Sequence, residues 1–309
     1  MSGPPQLRHD ALVYGSDEEL VATVVPFVRD GLAQGHAAVV AVTTPNIALL
    51  REACGPDSDA VTFISRDEWY RRPASTVAGW KSLLDRAVER GHAQVRIVGE
   101  VAFGDNDRHS SWTRYESALN GVFHSAPAWI VCPYDTRTLP TSVLDSARQT
   151  HPGVLTATRR EHSSLYRTPE EFLSAVGEPL PPVEGEPAIR MKIGDSLAAI
   201  RTMVHAAATA GGWLTAERIG DLLLALNEVI ANSLRHGRGE RALSVWAPGS
   251  AVVCEVTDEG SGPADPLVGY RPPVDRADGG MGLWMARQVC DALAIDTVDG
   301  VTRVRLAIS

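Results

Sequence analysis

Apolar residues in the first half of the chain gather in short, nearly unbroken runs. AAVVAVT (37–43), AVTFIS (60–65), QVRIVGE (94–100) and AWIVCPYD (128–135) are the clearest. Unbroken rather than alternating apolarity predicts strands buried on both faces of a parallel sheet. Between the runs lie DEELVATVVPFVRDGLAQG (17–35), TVAGWKSLLDRAVERG (76–91) and SSWTRYESALNGVFHS (110–125), which repeat their apolar positions at helical spacing. Ser16 followed by Glu19 predicts a capping box at the first of these helices. Strand and helix in alternation predict a three-layer α/β domain with a mostly parallel sheet.

The pattern changes after EPLPPVEGEP (178–187), a stretch of Pro, Glu and Gly with no periodicity. It reads as an extended linker, because Pro disfavours both helix and central strand. It divides the chain into residues 1–177 and 188–309. The second part opens with a short strand, AIRMKI (188–193), then two helices over about 196–210 and 215–236. Gly211-Gly212 breaks between them and Thr215 is the expected N-cap of the second. RALSVWA and AVVCEVTD form a hairpin across Pro248-Gly249. A loop rich in Gly, Pro and Asp (259–280) leads to the helix MGLWMARQVCDAL and a last hairpin with an Asp-Gly turn. Helices on one face of a mostly antiparallel sheet make a two-layer α+β sandwich.

Composition narrows the function classes. The chain has 309 residues and a net charge of −9. Direct nucleic-acid binding needs a basic footprint, so the acidic balance argues against it. No apolar run reaches the ~20 residues of a membrane helix, and MSGPPQLRHD lacks a signal core, so a cytoplasmic location and no membrane contact are expected. Cys54, Cys132, Cys254 and Cys290 form no CxxC pair and have no metal-ligand spacing with a histidine. They read as small buried hydrophobes in a reducing compartment.

The candidate chemistry is concentrated in the second part. On the helix ending LNEVIANSLRHG (226–237), Leu222, Leu226, Val229, Ile230 and Ser233 share one side. Glu228 and Asn232 fall about 40° apart and opposite that stripe. Alone, such a pair is an ordinary solvated face. In AVVCEVTD, however, Val252, Cys254, Val256 and Asp258 share a face, so an acid ends an apolar row and needs a partner. Gly260 and Gly262 follow, where the backbone must turn sharply or approach a ligand. Gly279, Gly280 and Gly282, with Met281 between the last two, open a helix whose free N–H groups suit phosphate oxygens. Arg235 and His236 are expected to cap the preceding helix, where positive charge is favoured.

ExxxN late in a long helix, DxGxG after a strand and GGxGL opening a helix resemble, in that order, the GHKL ATP-binding superfamily with its Bergerat fold, over about residues 188–309. The resemblance implies ATP as ligand and Mg²⁺ held by Asn232. It implies adenine recognition by Asp258 with Gly260 and Gly262, phosphates lined by Gly280, Met281 and Gly282, and a mobile lid over 263–278. Arg271 and Arg276 lie in that lid. The helix ALNEVIANSLRHG (225–237) and the short lid are most similar to RsbW-type anti-sigma factor/serine kinases, in which Glu228 would be the general base. Pro263, Pro266, Pro272 and Pro273 depart from the pattern and predict a stiffer lid. HSSLYRTP (162–169) has only a faint likeness to a sensor-kinase phosphoacceptor box, and the short interval after His162 leaves no room for the two-helix hairpin such a box needs.

The first part has no GxxxxGK[ST], so a working phosphate loop is not expected. A parallel sheet implies a crevice at the C-terminal strand ends, where Glu100, Tyr134 and Asp135 fall. These residues read either as lining for a small ligand or as strand-end hydrogen bonders. His9, Tyr14, PFVRDGLAQG (26–35), RIVGE (96–100), RYESALN (114–120), CPYD (132–135) and HPGVL (151–155) resemble the MEDS sensory domain, a P-loop-like fold without its phosphate loop. Sensor and ATPase in this order resemble RsbA-like anti-sigma regulators. That likeness implies a sigma factor and an anti-anti-sigma (STAS) protein as partners and a small ligand for the first domain. A second copy of the chain is a further candidate partner. A non-catalytic ATP-binding switch and an atypical histidine kinase are the rival readings.

Overall fold

The computed structural model describes residues 6–104, 106–156, 159–194, 196–271 and 280–309. The chain divides into two units, Met1–Val176 and Gly177–Ser309.

The first unit runs β1 (Arg8–Tyr14), α1 (Asp17–Ala33), β2 (Ala37–Val42), α2 (Thr44–Cys54), β3 (Val61–Ser65), α3 (Arg66–Trp69), α4 (Pro73–Glu89), β4 (Val95–Gly99), α5 (Asn106–Val122), β5 (Ala128–Asp135), α6 (Thr141–Thr150), β6 (Gly153–Leu155), β7 (Arg160–His162) and α7 (Pro169–Ala175). Its sheet has the order β3-β2-β4-β5-β1-β6-β7. All pairings are parallel except that of β7 with β6. Successive strand residues face opposite layers. Leu12, Val40 and Val131 pack with α1 and α2, whereas Ala11, Ala41 and Cys132 pack with α4, α5 and α6. Two apolar clusters on the two faces of one sheet make three layers.

The four strands expected from apolar runs are present to within a residue or two at each end. The central strand β1 was not legible, because Arg8, His9 and Asp10 interrupt its apolar run. Arg8 is exposed, whereas His9 and Asp10 are buried with partners. Asp10 receives Arg160 and the Trp129 indole N–H, and His9 lies against Glu116. At α1, Ser16 accepts from Glu19 N as expected, but the Glu19 carboxylate turns to Gly15 N rather than closing a capping box with Ser16.

The second unit runs β8 (Ile189–Lys192), α8 (Leu197–Ala210), α9 (Ala216–His236), β9 (Ala242–Trp246), β10 (Val252–Asp258), α10 (Met281–Val289), β11 (Ala292–Val298) and β12 (Val301–Ile308). The sheet order is β11-β12-β10-β9-β8, antiparallel throughout. Asp299 and Gly300, both at positive φ, turn the last hairpin. One core joins the helices to one sheet face: Leu222, Leu226, Val229 and Ile230 of α9 meet Leu243, Val245, Cys254, Val256 and Leu306. Each such side chain contributes about 1.5–3 kcal/mol by leaving water.

Residues 178–187 contain no helix or strand. They are nonetheless held by the second unit. Arg305 donates to Pro181 O and Trp246 donates its indole N–H to Gly185 O. Trp246, Glu255 and Arg305 alternate with core residues, so the segment crosses the sheet face opposite the helices.

Candidate functional site

The site grows from the end of α9. Its apolar stripe fixes the helix rotation, and Ser233, the last member of that stripe, is buried facing β10. Asp258 ends β10 and is 7% exposed. Its Oδ2 accepts from the Ser233 hydroxyl at 2.8 Å and its Oδ1 from Gly260 N at 2.8 Å. Each carboxylate oxygen retains a further lone pair for a ligand. Two glycines make room for this acid. A Cβ on Gly237 would lie 2.5 Å from Asp258 Cγ, and one on Gly260 would lie 2.6 Å from Oδ1. Thr302, opposite Asp258 on β12, donates to Gly260 O at 2.8 Å and holds the turn in place.

A cavity of about 390 Å³ opens beside Asp258. Asn232, His236, Asp258, Gly260, Gly262 and Gly280 line it, with apolar walls from Val229, Val268, Leu283, Ile295 and Val304. Apolar walls with a few fixed polar groups suit a flat heterocycle bearing a hydrogen-bond donor, and the volume falls within the range of small-ligand sites. Gly280 opens α10 at φ 81°, a left-handed conformation glycine adopts without strain. These residues fit an adenine nucleotide.

Glu228 and Met281 are half-buried and, like Gly282, lie outside the cavity lining. The Glu228 carboxylate rests on the first turn of α10: a Cβ on Gly282 would lie 2.3 Å from its Oε2. Glycine at 282 is therefore a matter of close approach to Glu228. Asn232 does line the cavity, but its Oδ1 accepts from Arg235 Nη2 at 3.0 Å. Arg235 also donates to Ala231 O, a carbonyl inside the helix rather than one of its last four. The C-terminal end is held by Arg241, which donates to Ser233 O and Gly237 O.

The expected lid begins differently. Leu267 and Tyr270 are buried, so residues 267–270 form a packed root, while Pro263, Ala264 and Asp265 are exposed. Gly279, Arg276, Pro272 and Pro273 lie outside the described residues. Beneath the root, Arg287 of α10 makes a two-pronged ion pair with Glu178 at 2.7 and 2.8 Å. Tyr270 donates to the same carboxylate at 3.2 Å and stacks under Arg287. Burial works against the Arg287 charge, but Glu178 and Tyr270 hold its pKa above the usual guanidinium range.

In the first unit, Glu100 is saturated by Arg66, Thr43 N and Asn46, Asp135 pairs with Arg137, and Tyr134 is buried. These are the contacts of strand-end hydrogen bonders. His162 sits on the exposed edge strand β7, and among the described residues only α7 lies between it and β8. Cys54, Cys254 and Cys290 are core residues as expected. Cys132 departs from that reading, because it touches His9 at 3.3 Å and Glu116 at 3.5 Å.

Residues 8–152 match the family model described as MEDS, the methanogen/methylotroph, DcmR sensory domain, and residues 194–308 match the histidine kinase-like ATPase domain. The chain joins a sensory domain to a histidine kinase-like ATPase domain. No curated protein matches it. The cavity beside Asp258 lies within the ATPase domain and the His9–Cys132 contacts within the sensory domain. No helix among the described residues is long and apolar enough to cross a membrane. Ser233 and Thr302 were missed in the sequence. Ser233 carried the helical spacing of a core residue, and Thr302 becomes relevant only through its cross-strand register with Asp258.

Proposed function

We propose that the chain is an ATP-dependent anti-sigma regulator. Its ATPase domain binds a sigma factor and transfers the terminal phosphoryl group of ATP to a serine on an anti-anti-sigma (STAS) antagonist, under control of the sensory domain. The observation that carries this reading is the cavity between α9 and β10, walled by the fixed Asp258 carboxylate and the Asn232 carboxamide. Asp258 would accept from the adenine amino group. Asn232 would hold Mg²⁺, which would shield phosphate charge. Gly280, Met281 and Gly282 would present helix-terminal N–H groups to the phosphates. In the transfer, the serine Oγ bonds to the terminal phosphorus as the bridging oxygen leaves with ADP, and Glu228 takes the serine proton.

The test incubates the protein with Mg²⁺, labelled ATP and a STAS protein. Label on serine is the expected result. Glu228→Ala should retain ATP and lose transfer by about 10²–10⁴-fold, the usual weight of a general base. Transfer that persists in this variant removes Glu228 from the role. The Arg235 contact on Asn232 favours a second reading, a switch that binds ATP without transfer. Tight binding with no label would support it. Acid-labile label on the protein itself would support a histidine kinase instead.

A further inference from the structure

Four side chains remote in sequence meet beneath α5 and α6 of the sensory domain. His9 and Cys132 project from the adjacent strands β1 and β5 onto the same sheet face, Glu116 comes from α5, and His151 follows α6. All four are buried, with His151 and Glu116 at 0% exposure. Their ligand atoms lie within 4.8 Å of one another. His9 Nε2 is 3.1 Å from Glu116 Oε2 and 3.3 Å from Cys132 Sγ. His151 Nε2 is 3.3 Å from Glu116 Oε2, and Cys132 Sγ is 3.5 Å from it.

The surrounding hydrogen bonds assign the ring protons. Asn120 commits its amide N–H groups to Ser117 O and Thr150 O, so its Oδ1 must accept from His9 Nδ1, 3.1 Å away. His151 Nδ1 lies 2.9 Å from Ala147 O, which can only accept. Both rings therefore carry hydrogen on Nδ1 and, as neutral imidazoles, turn Nε2 lone pairs inward. There they face a carboxylate and a sulfur. Glu116 Oε1 and His151 Nε2 have no hydrogen-bond partner. A buried convergence of lone pairs is costly unless a cation joins it.

We propose that His9, Glu116, Cys132 and His151 bind a divalent transition-metal ion, with zinc the best match. Zinc bonds run about 2.0–2.2 Å to nitrogen and oxygen and about 2.3 Å to sulfur, so the edges of its tetrahedron span roughly 3.3–3.7 Å. The four separations, from 3.1 to 3.5 Å, sit within or just below that span. Binding releases the Cys132 proton, and thiolate plus carboxylate then neutralise the dication. Four protein ligands close the coordination sphere, the arrangement of a structural rather than a hydrolytic metal. Asn120 acts as a positioning residue by holding the His9 ring. The inference does not depend on the kinase reading.

The test strips the full-length protein with a chelator and titrates it with Co²⁺, then Zn²⁺. The expected result is a thiolate-to-cobalt charge-transfer band with the visible bands of tetrahedral cobalt, saturating at about one equivalent per chain. Zn²⁺ should abolish these bands. Cys132→Ser should remove the charge-transfer band and Cys254→Ser should keep it. Asn120→Ala should weaken Co²⁺ affinity about 10–100-fold. The proposal is overturned if the unaltered protein gives no such band, or if the band survives Cys132→Ser. Should Cys132→Ser fail to fold, the unaltered protein and Asn120→Ala decide the matter.

Discussion

At the scale of single residues, the nucleotide cavity is set by which atoms already have partners. Asp258 is held by Ser233 and Gly260, so it enters the cavity at a fixed angle. Asn232 is in a different condition, because the oxygen that a metal would need already accepts from the cationic Arg235, whose charge opposes a metal ion there. An exposed hydrogen bond of this kind is worth roughly 1 kcal/mol. Arg235→Ala should therefore raise Mg-ATP affinity by up to about fivefold, measured by calorimetry. A fall in affinity would mean that Arg235 serves the phosphates. That Glu228 and Asn232 lie off the α9 core stripe was legible in helical spacing, but Asn232 flanks the stripe rather than opposing it, since it shares the cavity wall with Val229 and Ser233. The Arg235 contact was not, because i and i+3 neighbours have several rotamers and only the surroundings select one.

At the scale of elements, α10 and the root of the lid depend on a residue from the Pro-rich stretch. Glu178 joins Arg287 of α10, Tyr270 of the root and the backbone of β11 at Ile295. Removing one partner of a buried pair strands the other charge. Glu178→Ala should destabilise the ATPase domain by about 3–5 kcal/mol, read from denaturant unfolding. It should also weaken ATP binding, because Val268 and Leu283 line the cavity from the elements it braces. Unchanged stability and affinity would make this ion pair incidental. Nothing in the composition of residues 178–187 announced the contact. Low periodicity reports the absence of regular structure, and it is silent on whether backbone carbonyls and a single acid are held by a neighbouring surface.

At the scale of the whole molecule, two units with separate cores predict two unfolding events. ATP at about a hundredfold excess over its dissociation constant should stabilise only the ATPase transition, by about 2.7 kcal/mol. Calorimetry with and without Mg-ATP checks this, and a shift shared equally by both transitions would contradict it. The division of labour follows from the cores themselves. The three-layer sensory domain is built on a sheet buried on both faces, and the ATPase domain on a sheet whose helices cover one face.

The amino-acid sequence by itself determined the order of elements in the second unit, four strands and three helices of the first, the change from parallel to antiparallel architecture and the place of the nucleotide motifs. These are local properties: apolar period, turn residues and short spacings act over a few positions. Tertiary structure alone decided that Ser233 holds Asp258, that Glu178 braces the lid root and that four scattered side chains share one buried point. Such contacts depend on strand register and helix rotation, which bring together residues far apart in the chain. His9 and Asp10 show the difference most plainly. As letters they interrupt an apolar run, yet in the folded protein their partners let a central strand carry them inside.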